Sequence, residues 1–214
     1  MDHARPRGGA RREAERPAGA SREILNAGAW LLRHRGYESM TTRAIAERVG
    51  IKAGSIYHHF PSKDAIVEQV LNEGVRVVFD AVTAALAALP ADATPLDRLR
   101  AAIKSHLQSS LENSDYTSAS IRAFAFLPSG LREHCRVERR RYEEIWRDIV
   151  QQAADAGYIP QGLSLDAVRL MLLGAVNWAG EWYRPGRVSI DEIADSFARL
   201  SFGVGRGMGD EPAR

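Results

Sequence analysis

The chain has one cysteine and no long apolar run. Cys135 stands alone among 214 residues, which excludes an intrachain disulfide framework and is typical of a reducing compartment. No apolar run approaches the roughly 18 residues of a membrane span, and no apolar segment follows the N-terminal arginines as it would in a signal peptide. We therefore expect a cytoplasmic protein without a membrane partner.

Patterns for catalysis and for metal binding are also sparse. Adjacent residues on a helix point about 100° apart, so neither His134–Cys135 nor His58–His59 forms a nucleophile–base contact by itself. The His and Cys residues lack the spacing of zinc ligands, and no glycine-rich phosphate loop is evident. The sequence therefore predicts neither an enzyme nor a metal or cofactor site.

The net charge of the chain does not indicate nucleic-acid binding, but the distribution of charge along the sequence does. The net charge is only +2, yet residues 18–64 hold seven Lys or Arg against four acidic residues, a local charge of +3 that suits phosphate contact. Residues 1–17 contain five arginines and three acidic residues without apolar periodicity. They predict a disordered tail, which is either surrounded by solvent or in contact with DNA.

The segment 42–60, TRAIAERVGIKAGSIYHHF, has the spacing of two helices joined by a tight turn. Counted from Thr42, the fifth residue is the small Ala46, the ninth is Gly50 and the fifteenth is the aliphatic Ile56. We expect a second helix from about Ala53 to His58 that enters the DNA major groove. An ordinary helical corner without a DNA role is the alternative.

Several side chains of this unit are left to face DNA. Thr41 or Thr42 is expected to cap the first helix, and Lys63 to anchor a phosphate at the flank. The residues predicted to bind DNA are Thr41, Thr42, Lys52, Ala53, Ser55, Tyr57, His58 and Lys63.

The segment 55–71, SIYHHFPSKDAIVEQVL, resembles the TetR family of bacterial transcriptional repressors. Its aromatic-rich run and its Ser-Lys-Asp turn are similar to the end of that family's recognition helix and the start of the next helix. Residues 24–28, ILNAG, and residues 35–37, RGY, look like the family's first helix and its exit. This resemblance, which covers about residues 18–70, implies a double-stranded DNA partner, a homodimer and a small-molecule effector.

We predict an all-α chain of about nine helices in two parts. Residues 18–64 form the helix-turn-helix DNA-binding domain, and residues 65–206 form the effector-binding and dimerisation domain. The boundary falls within a long helix that begins at Ser62, and one later helix is predicted from about Leu131 to Ala156.

The run Leu170–Val176 is apolar on every side. A helix of this kind must be covered on every side, either by its own domain or by a second chain. The family resemblance favours a homodimer through the last two helices. Its two recognition helices would lie about 34 Å apart and read a palindrome.

The effector site is expected among the later helices. The block 177–186 looks like the end of a helix in TetR-like regulators of fatty-acid and sterol breakdown, several of which respond to acyl-CoA thioesters. Arginines suit the phosphates of CoA, although a solvated basic face and ordinary aromatic core packing are the alternatives. The predicted ligand residues are Phe124, Arg136, Arg139, Arg140, Tyr142, Asn177, Trp178 and Trp182.

Two other functions remain open from the sequence. The chain could be a multidrug-responsive repressor of an efflux gene, or a DNA-binding protein without a small-molecule effector. A screen for compounds that raise the melting temperature would distinguish a ligand-responsive regulator from a protein without an effector, because a specific ligand stabilises the protein that binds it.

Overall fold

The computed structural model describes residues 10–111 and 115–202, which contain ten α-helices and one 3₁₀ helix. The helices are α1 (Ala10–Ser39), α2 (Thr42–Val49), α3 (Ala53–Ile56), α4 (Lys63–Ala87), α5 (Pro95–Leu111), α6 (Asp115–Arg122), the 3₁₀ helix (Phe124–Phe126), α7 (Ser129–His134), α8 (Arg136–Asp155), α9 (Leu165–Trp182) and α10 (Ile190–Phe202). The described residues include no strand. None of their helices is both long enough and apolar enough to cross a membrane.

Helix α1 begins within residues 1–17, the segment for which the sequence predicts a disordered tail. It runs from Ala10 and kinks at Gly36, whose φ of 77° is accessible to glycine at little cost. The Ala, Arg and Glu residues that open α1 are strong helix formers, which explains the earlier start. Residues 1–9 of the predicted tail and residues 203–206 of the predicted second domain lie outside the described residues.

Two hydrophobic clusters share helix α4. Its first half, from Ile66 to Leu71, packs with α1, α2 and α3, whereas its second half, from Val75 to Val82, packs with α5, α8, α9 and α10. At about 1.5 Å per residue, the 25 residues of α4 extend roughly 37 Å. The helix therefore connects the DNA-binding unit to the rest of the molecule.

The first cluster also reaches into residues that the sequence places in the second domain. Ala119, Ala123, Leu127, Leu131 and Cys135 pack with the core of the DNA-binding unit. The segment α6–α7 is thus part of the first cluster, although it comes late in the chain.

The predicted helix from Leu131 to Ala156 is two helices, so residues 10–111 and 115–202 contain ten α-helices where the sequence predicts about nine. Helix α7 ends at His134 and α8 begins at Arg136. Leu131 of α7 packs in the first cluster, whereas Trp146 of α8 packs in the second, so the chain changes direction between them. Cys135 lies at this junction, and burial raises the pKa of its thiol to about 11.

Candidate functional site

The α2–α3 pair is held by three local features. The hydroxyl of Thr41 accepts a hydrogen bond from the Ala44 amide at 3.0 Å and so caps α2. Gly50 ends α2 with a φ of 77°, and its amide donates to the Ala46 carbonyl at 2.9 Å. Ile56 is completely buried and fixes α3 on the core. These features confirm the predicted helices and turn, with Thr41 as the cap. Helix α3 ends at Ile56, however, so Tyr57 and His58 lie in the turn that follows it and not in the predicted helix.

The outer face of this pair carries the predicted DNA contacts. Tyr57, which follows α3, is 58% exposed, and Lys52, Ala53 and His58 are exposed as well. Ser55 and Thr42 are partly exposed, and Thr41 is exposed. Because α3 begins with Ala53 and Gly54, its start can approach another backbone closely. The structure thus brings these seven predicted DNA contacts to the surface of one helical pair.

Lys63 differs from the other predicted contacts, since it has partners within the chain. Its ammonium donates to the Tyr37 carbonyl at 2.7 Å and lies 3.8 Å from the centre of the Tyr37 ring. Burial and the hydrogen bond to Asp64 raise the pKa of Tyr37 to about 12. An ammonium has three protons, so Lys63 retains donors for a phosphate while it holds α4 against α1.

Some basic residues of the same region are committed elsewhere. The guanidinium of Arg48 lies 3.7 Å from the centre of the Trp30 ring, and Arg33 pairs with Asp115 at 2.9 Å. The local charge of +3 therefore overstates what can reach DNA directly.

An inner cavity of about 270 Å³ lies among α4, α5, α6, α8 and α9. Apolar side chains from α4 and α9 form part of its wall, whereas α5, α6 and α8 contribute polar groups. Its lining includes Val75, Val78, His106, Ser120, Ile121, Arg139, Tyr142, Glu143, Leu173 and Asn177.

An outer cavity of about 490 Å³ adjoins the inner cavity. The two have Ile121, Gly174 and Asn177 in common. The outer cavity adds two cations, Arg33 and Arg122, which pair with Asp115 at 2.9 Å and with Glu181 at 2.6 Å. The outer cavity thus has aromatic side chains and two ion-paired arginines in or beside its wall, and it shares one side with the inner cavity.

The structure brings only some of the predicted ligand residues together. Arg139, Tyr142 and Asn177 line the inner cavity, and Trp178 lines the outer cavity together with Asn177. Phe124 lies outside both and packs under Arg139, whose guanidinium is 4.0 Å from the centre of its ring.

The remaining predicted ligand residues lie elsewhere. Arg136 and Arg140 are exposed and pair with Glu133 at 3.4 and 3.2 Å, so they do not line the cavities. Trp182 lines a separate apolar groove.

The sequence interpretation missed His106, Glu143, Arg33 and Arg122. His106 is 2% exposed, and its ring Nδ1 lies 2.7 Å from the Tyr142 hydroxyl. Burial lowers the pKa of His106 to about 4, so the ring is neutral near pH 7. A single histidine in an amphipathic helix gives no sequence signal for a cavity, because helical periodicity marks only that it faces inward.

The groove that contains Trp182 runs between α9 and α10 and has a volume of about 310 Å³. It includes Ala175, Val176 and Ile193, and the surface around it exposes large apolar side chains. Met171, Trp182 and Leu200 are between 49% and 75% exposed, whereas the exposed Leu170 and Trp178 of α9 line the two cavities. Apolar area of this extent on two neighbouring helices is typical of a protein interface.

The described residues include no group of three or more His, Cys, Asp or Glu side chains arranged to hold a metal ion.

Known proteins resemble this chain over nearly its whole length. The HTH-type transcriptional repressor KstR2 of Mycolicibacterium smegmatis is 28% identical over 204 residues, which cover 92% of this chain and 96% of KstR2. The crystal structure of AibR in complex with isovaleryl coenzyme A and operator DNA has a TM-score of 0.74 and 24% identity, covering 85% of this chain and 97% of AibR. The ketosteroid transcriptional regulator KstR2 of Mycobacterium tuberculosis has a TM-score of 0.70 and 22% identity, covering 86% and 94%. At these identities the structural likenesses establish the fold.

Two family models match the chain and assign its two parts. Residues 24–70 match the bacterial regulatory proteins of the tetR family, and residues 92–204, more than half of the chain, match the tetracyclin repressor-like C-terminal domain. These matches confirm the all-α fold and a regulator rather than an enzyme. The α2–α3 pair is accordingly a DNA-binding helix-turn-helix, and the chain belongs to the TetR family of bacterial transcriptional regulators.

Proposed function

We propose that this protein is a cytoplasmic repressor that binds a palindromic operator as a homodimer and releases it when an apolar effector, carried as a CoA thioester, occupies the two cavities. The observation that carries the proposal is the position of α6. One side of this helix lines both cavities, and its N-terminal end is bonded to the DNA-binding unit.

The contacts of α6 explain how a ligand in the cavities could change DNA binding. Asp115 pairs with Arg33 of α1 at 2.9 Å, and the Tyr116 hydroxyl donates to Asn26 of α1 at 2.8 Å. Gly74 of α4 meets the backbone of Tyr116 so closely that a Cβ there would overlap its carbonyl oxygen. A ligand that displaces α6 therefore acts on α1 and α4 together. It favours the state without DNA to the extent that it binds that state more tightly.

For the DNA, we propose that Lys52, Ser55 and Tyr57 contact the operator in the major groove, flanked by Ala53 and His58. Thr41, Thr42 and Lys63 are proposed to contact phosphates. The Thr41 hydroxyl accepts a hydrogen bond within the cap and keeps its own proton for a phosphate oxygen.

For the assembly, the exposed apolar face of α9 and α10 supports a homodimer through these two helices. The partner's copy of the same face would cover it. Two recognition helices about 34 Å apart would then read the two halves of a palindrome.

For the effector, we place the acyl group in the inner cavity and the phosphates of CoA at the outer one. Arg33 and Arg122 line that cavity, each within an ion pair to Asp115 or Glu181, whereas Arg136 and Arg140 line neither cavity. Trp178, which is 65% exposed there, offers a ring face to the adenine. The isovaleryl coenzyme A bound in AibR supports this class of ligand.

The test is release of DNA. An operator fragment is first selected from random duplexes by binding to the protein, and its fluorescence anisotropy is then followed as acyl-CoA thioesters of different chain types are added. We expect at least one thioester to release the DNA, while free CoA and the free acids do not. Arg122→Ala should weaken the response to the thioester, whereas Arg147→Ala, an exposed change on α8, should leave it unaltered.

Other outcomes would redirect the proposal. If no thioester releases the operator but a cationic or planar drug does, the protein is a multidrug-responsive repressor. If no compound releases the DNA or raises the melting temperature, the protein acts without a small-molecule effector.

A further inference from the structure

The inner cavity contains hydrogen-bonding capacity that the protein does not use. His106 is 2% exposed, and its Nδ1 lies 2.7 Å from the Tyr142 hydroxyl. Its other ring nitrogen, Nε2, is buried without a hydrogen-bond partner among the described residues. A buried polar atom without a partner costs free energy, and an acceptor brought to it would recover that cost.

The pair of His106 and Tyr142 always has one donor to spare. A neutral histidine and a tyrosine together carry two polar protons, and the bond between them uses one. If the tyrosine donates, the N–H on Nε2 is unused; if the histidine donates, the tyrosine O–H is unused. Both arrangements leave a proton available to an acceptor.

Arg139 adds further donors to the same wall. One terminal nitrogen, Nη2, donates to the Ser120 carbonyl at 2.7 Å, while Nε is buried without a partner. No carboxylate of the described chain lies within ion-pair distance of this guanidinium. Glu143, which also lines the cavity, pairs instead with Arg169 at 3.5 Å. Arginine has donors only, so it too requires an acceptor.

We infer that the inner cavity binds an oxygen acceptor, a carbonyl or a carboxylate, at the far end of an otherwise apolar acyl group. The inference rests on the proposed function, because the acyl group enters from the outer cavity. Val75, Val78 and Leu173 provide the apolar wall along which the chain lies. A plain alkyl end would cover His106, Tyr142 and Arg139 without satisfying them, which is unfavourable. The effector is thus an oxygenated acyl group rather than a simple fatty chain.

The experiment compares three six-carbon thioesters in the operator-release assay. Hexanoyl-CoA has a plain methyl end, 5-oxohexanoyl-CoA has a carbonyl near the end, and adipoyl-CoA has a terminal carboxylate. We expect at least one oxygenated thioester to release the operator at about tenfold lower concentration than hexanoyl-CoA does. A preference for adipoyl-CoA over the ketone identifies a carboxylate as the natural group, and the reverse preference identifies a carbonyl.

Two variants test whether the named residues cause the preference. Arg139→Met should bring the ratio between hexanoyl-CoA and the preferred thioester close to one. Tyr142→Phe should lower the ratio by less, because the His106 N–H remains available to an acceptor. Arg147→Met is the matched control, since it removes an exposed guanidinium from the same helix and should retain the wild-type ratio. Both cavity variants are first checked for operator affinity and melting temperature, and the ratio is compared within each variant, so a general loss of stability does not imitate the expected result.

A measurement without CoA separates this inference from the proposed function. Hexan-2-one and 1-chlorohexane are similar in size, but only the ketone has a strong acceptor. The ketone should raise the melting temperature of the wild type more than the chloroalkane does, and this difference should vanish in Arg139→Met. That result supports the inner site even if no thioester releases DNA, in which case only the CoA assignment fails. Equal responses to all three thioesters, together with equal shifts from the two small ligands, would overturn the inference.

Discussion

The DNA-binding unit has its functional residues at the surface, whereas the cavity region has them in the buried interior. Tyr57 is 58% exposed beside Ile56, which is completely buried, so contact and support are carried by different residues. In the cavity region His106 is 2% exposed and takes part in both packing and the proposed recognition. Mutation of a functional residue should therefore leave stability unchanged in the first region and change it in the second.

The largest effect is expected at the groove of α9 and α10. Operator binding depends on this surface in the proposed dimer, although it lies far along the chain from the DNA-binding unit. Ala175→Arg puts a charge into the groove of α9 and α10, where an unpaired buried charge is costly. We expect loss of the dimer and of operator binding, measured by sedimentation and by anisotropy. Ala156→Arg, an exposed change at the end of α8, is the control. A wild-type protein that sediments as a monomer at micromolar concentration would contradict the proposed assembly.

Removal of the Tyr57 side chain tests whether contact and fold are separate. Tyr57→Ala should weaken specific operator binding by ~1–3 kcal/mol and leave the melting temperature unchanged, because the side chain is exposed. Tyr57→Phe distinguishes the hydroxyl from the ring. Operator affinity like that of the wild type in the alanine variant would remove Tyr57 from the interface.

The contact between α4 and α6 tests a site where function and stability should change together. A Cβ at Gly74 would overlap the Tyr116 carbonyl, so Gly74→Ala should lower the free energy of unfolding by ~1–3 kcal/mol and also alter the effector response. Gly130→Ala, in helix α7, meets open space and is the control. Urea denaturation measures the first effect, and operator release measures the second. A stable Gly74→Ala variant with a normal response would show that the helices do not need this close approach.

The buried histidine should make stability depend on pH. Since its pKa is lowered to about 4 by burial, the unfolded chain binds more protons than the folded protein between that value and the ordinary 6.5. Stability is then fully present above pH 6.5 and should fall by roughly 1–2 kcal/mol from pH 7 to pH 5. His106→Gln should have a smaller slope in urea denaturation over this range. An identical slope in both proteins would assign the pH dependence to other groups.

The smallest effect is expected at Lys63, the first residue of α4. Lys63→Ala should weaken binding to all DNA sequences and reduce the salt slope by about one phosphate contact. It should also reduce stability slightly, since the ammonium is bonded to Tyr37. Anisotropy titrations at two salt concentrations measure the slope. Lys104→Ala on α5 removes an ammonium that is paired with Asp191 of α10, and it should leave the slope unchanged.

The two regions also differ in how far the sequence predicts them. The helix-turn-helix was predictable because its requirements are local: Thr41 caps α2, Gly50 ends it, and Ile56 packs within the same short segment. The start of α1 and the break at Cys135 depend on helix propensity and on two separate cores, which the turn signals do not mark.

The cavity required tertiary information, since its walls come from α4, α5, α6, α8 and α9. Part of the signal was nevertheless present in α8. Arg139 stands three residues before Tyr142 and seven before Trp146, which places it on the apolar stripe of that helix, whereas Arg140 does not share this spacing. The spacing identifies the arginine that turns inward. His106 has the same kind of spacing, seven residues after Leu99 and three after Ile103, but this shows only that it faces inward and not that it lines a cavity.

The exposed apolar face of α9 and α10 has a genetic consequence. If two chains pair through it before either reads DNA, a cell that contains an intact gene and a Tyr57→Ala copy will assemble mixed dimers. Each mixed dimer has one competent recognition helix and cannot bind both halves of a palindrome tightly. The defective allele should therefore be dominant over the intact one. A second change in the same copy, Ala175→Arg, should make it recessive, because the defective chain could then no longer recruit an intact partner.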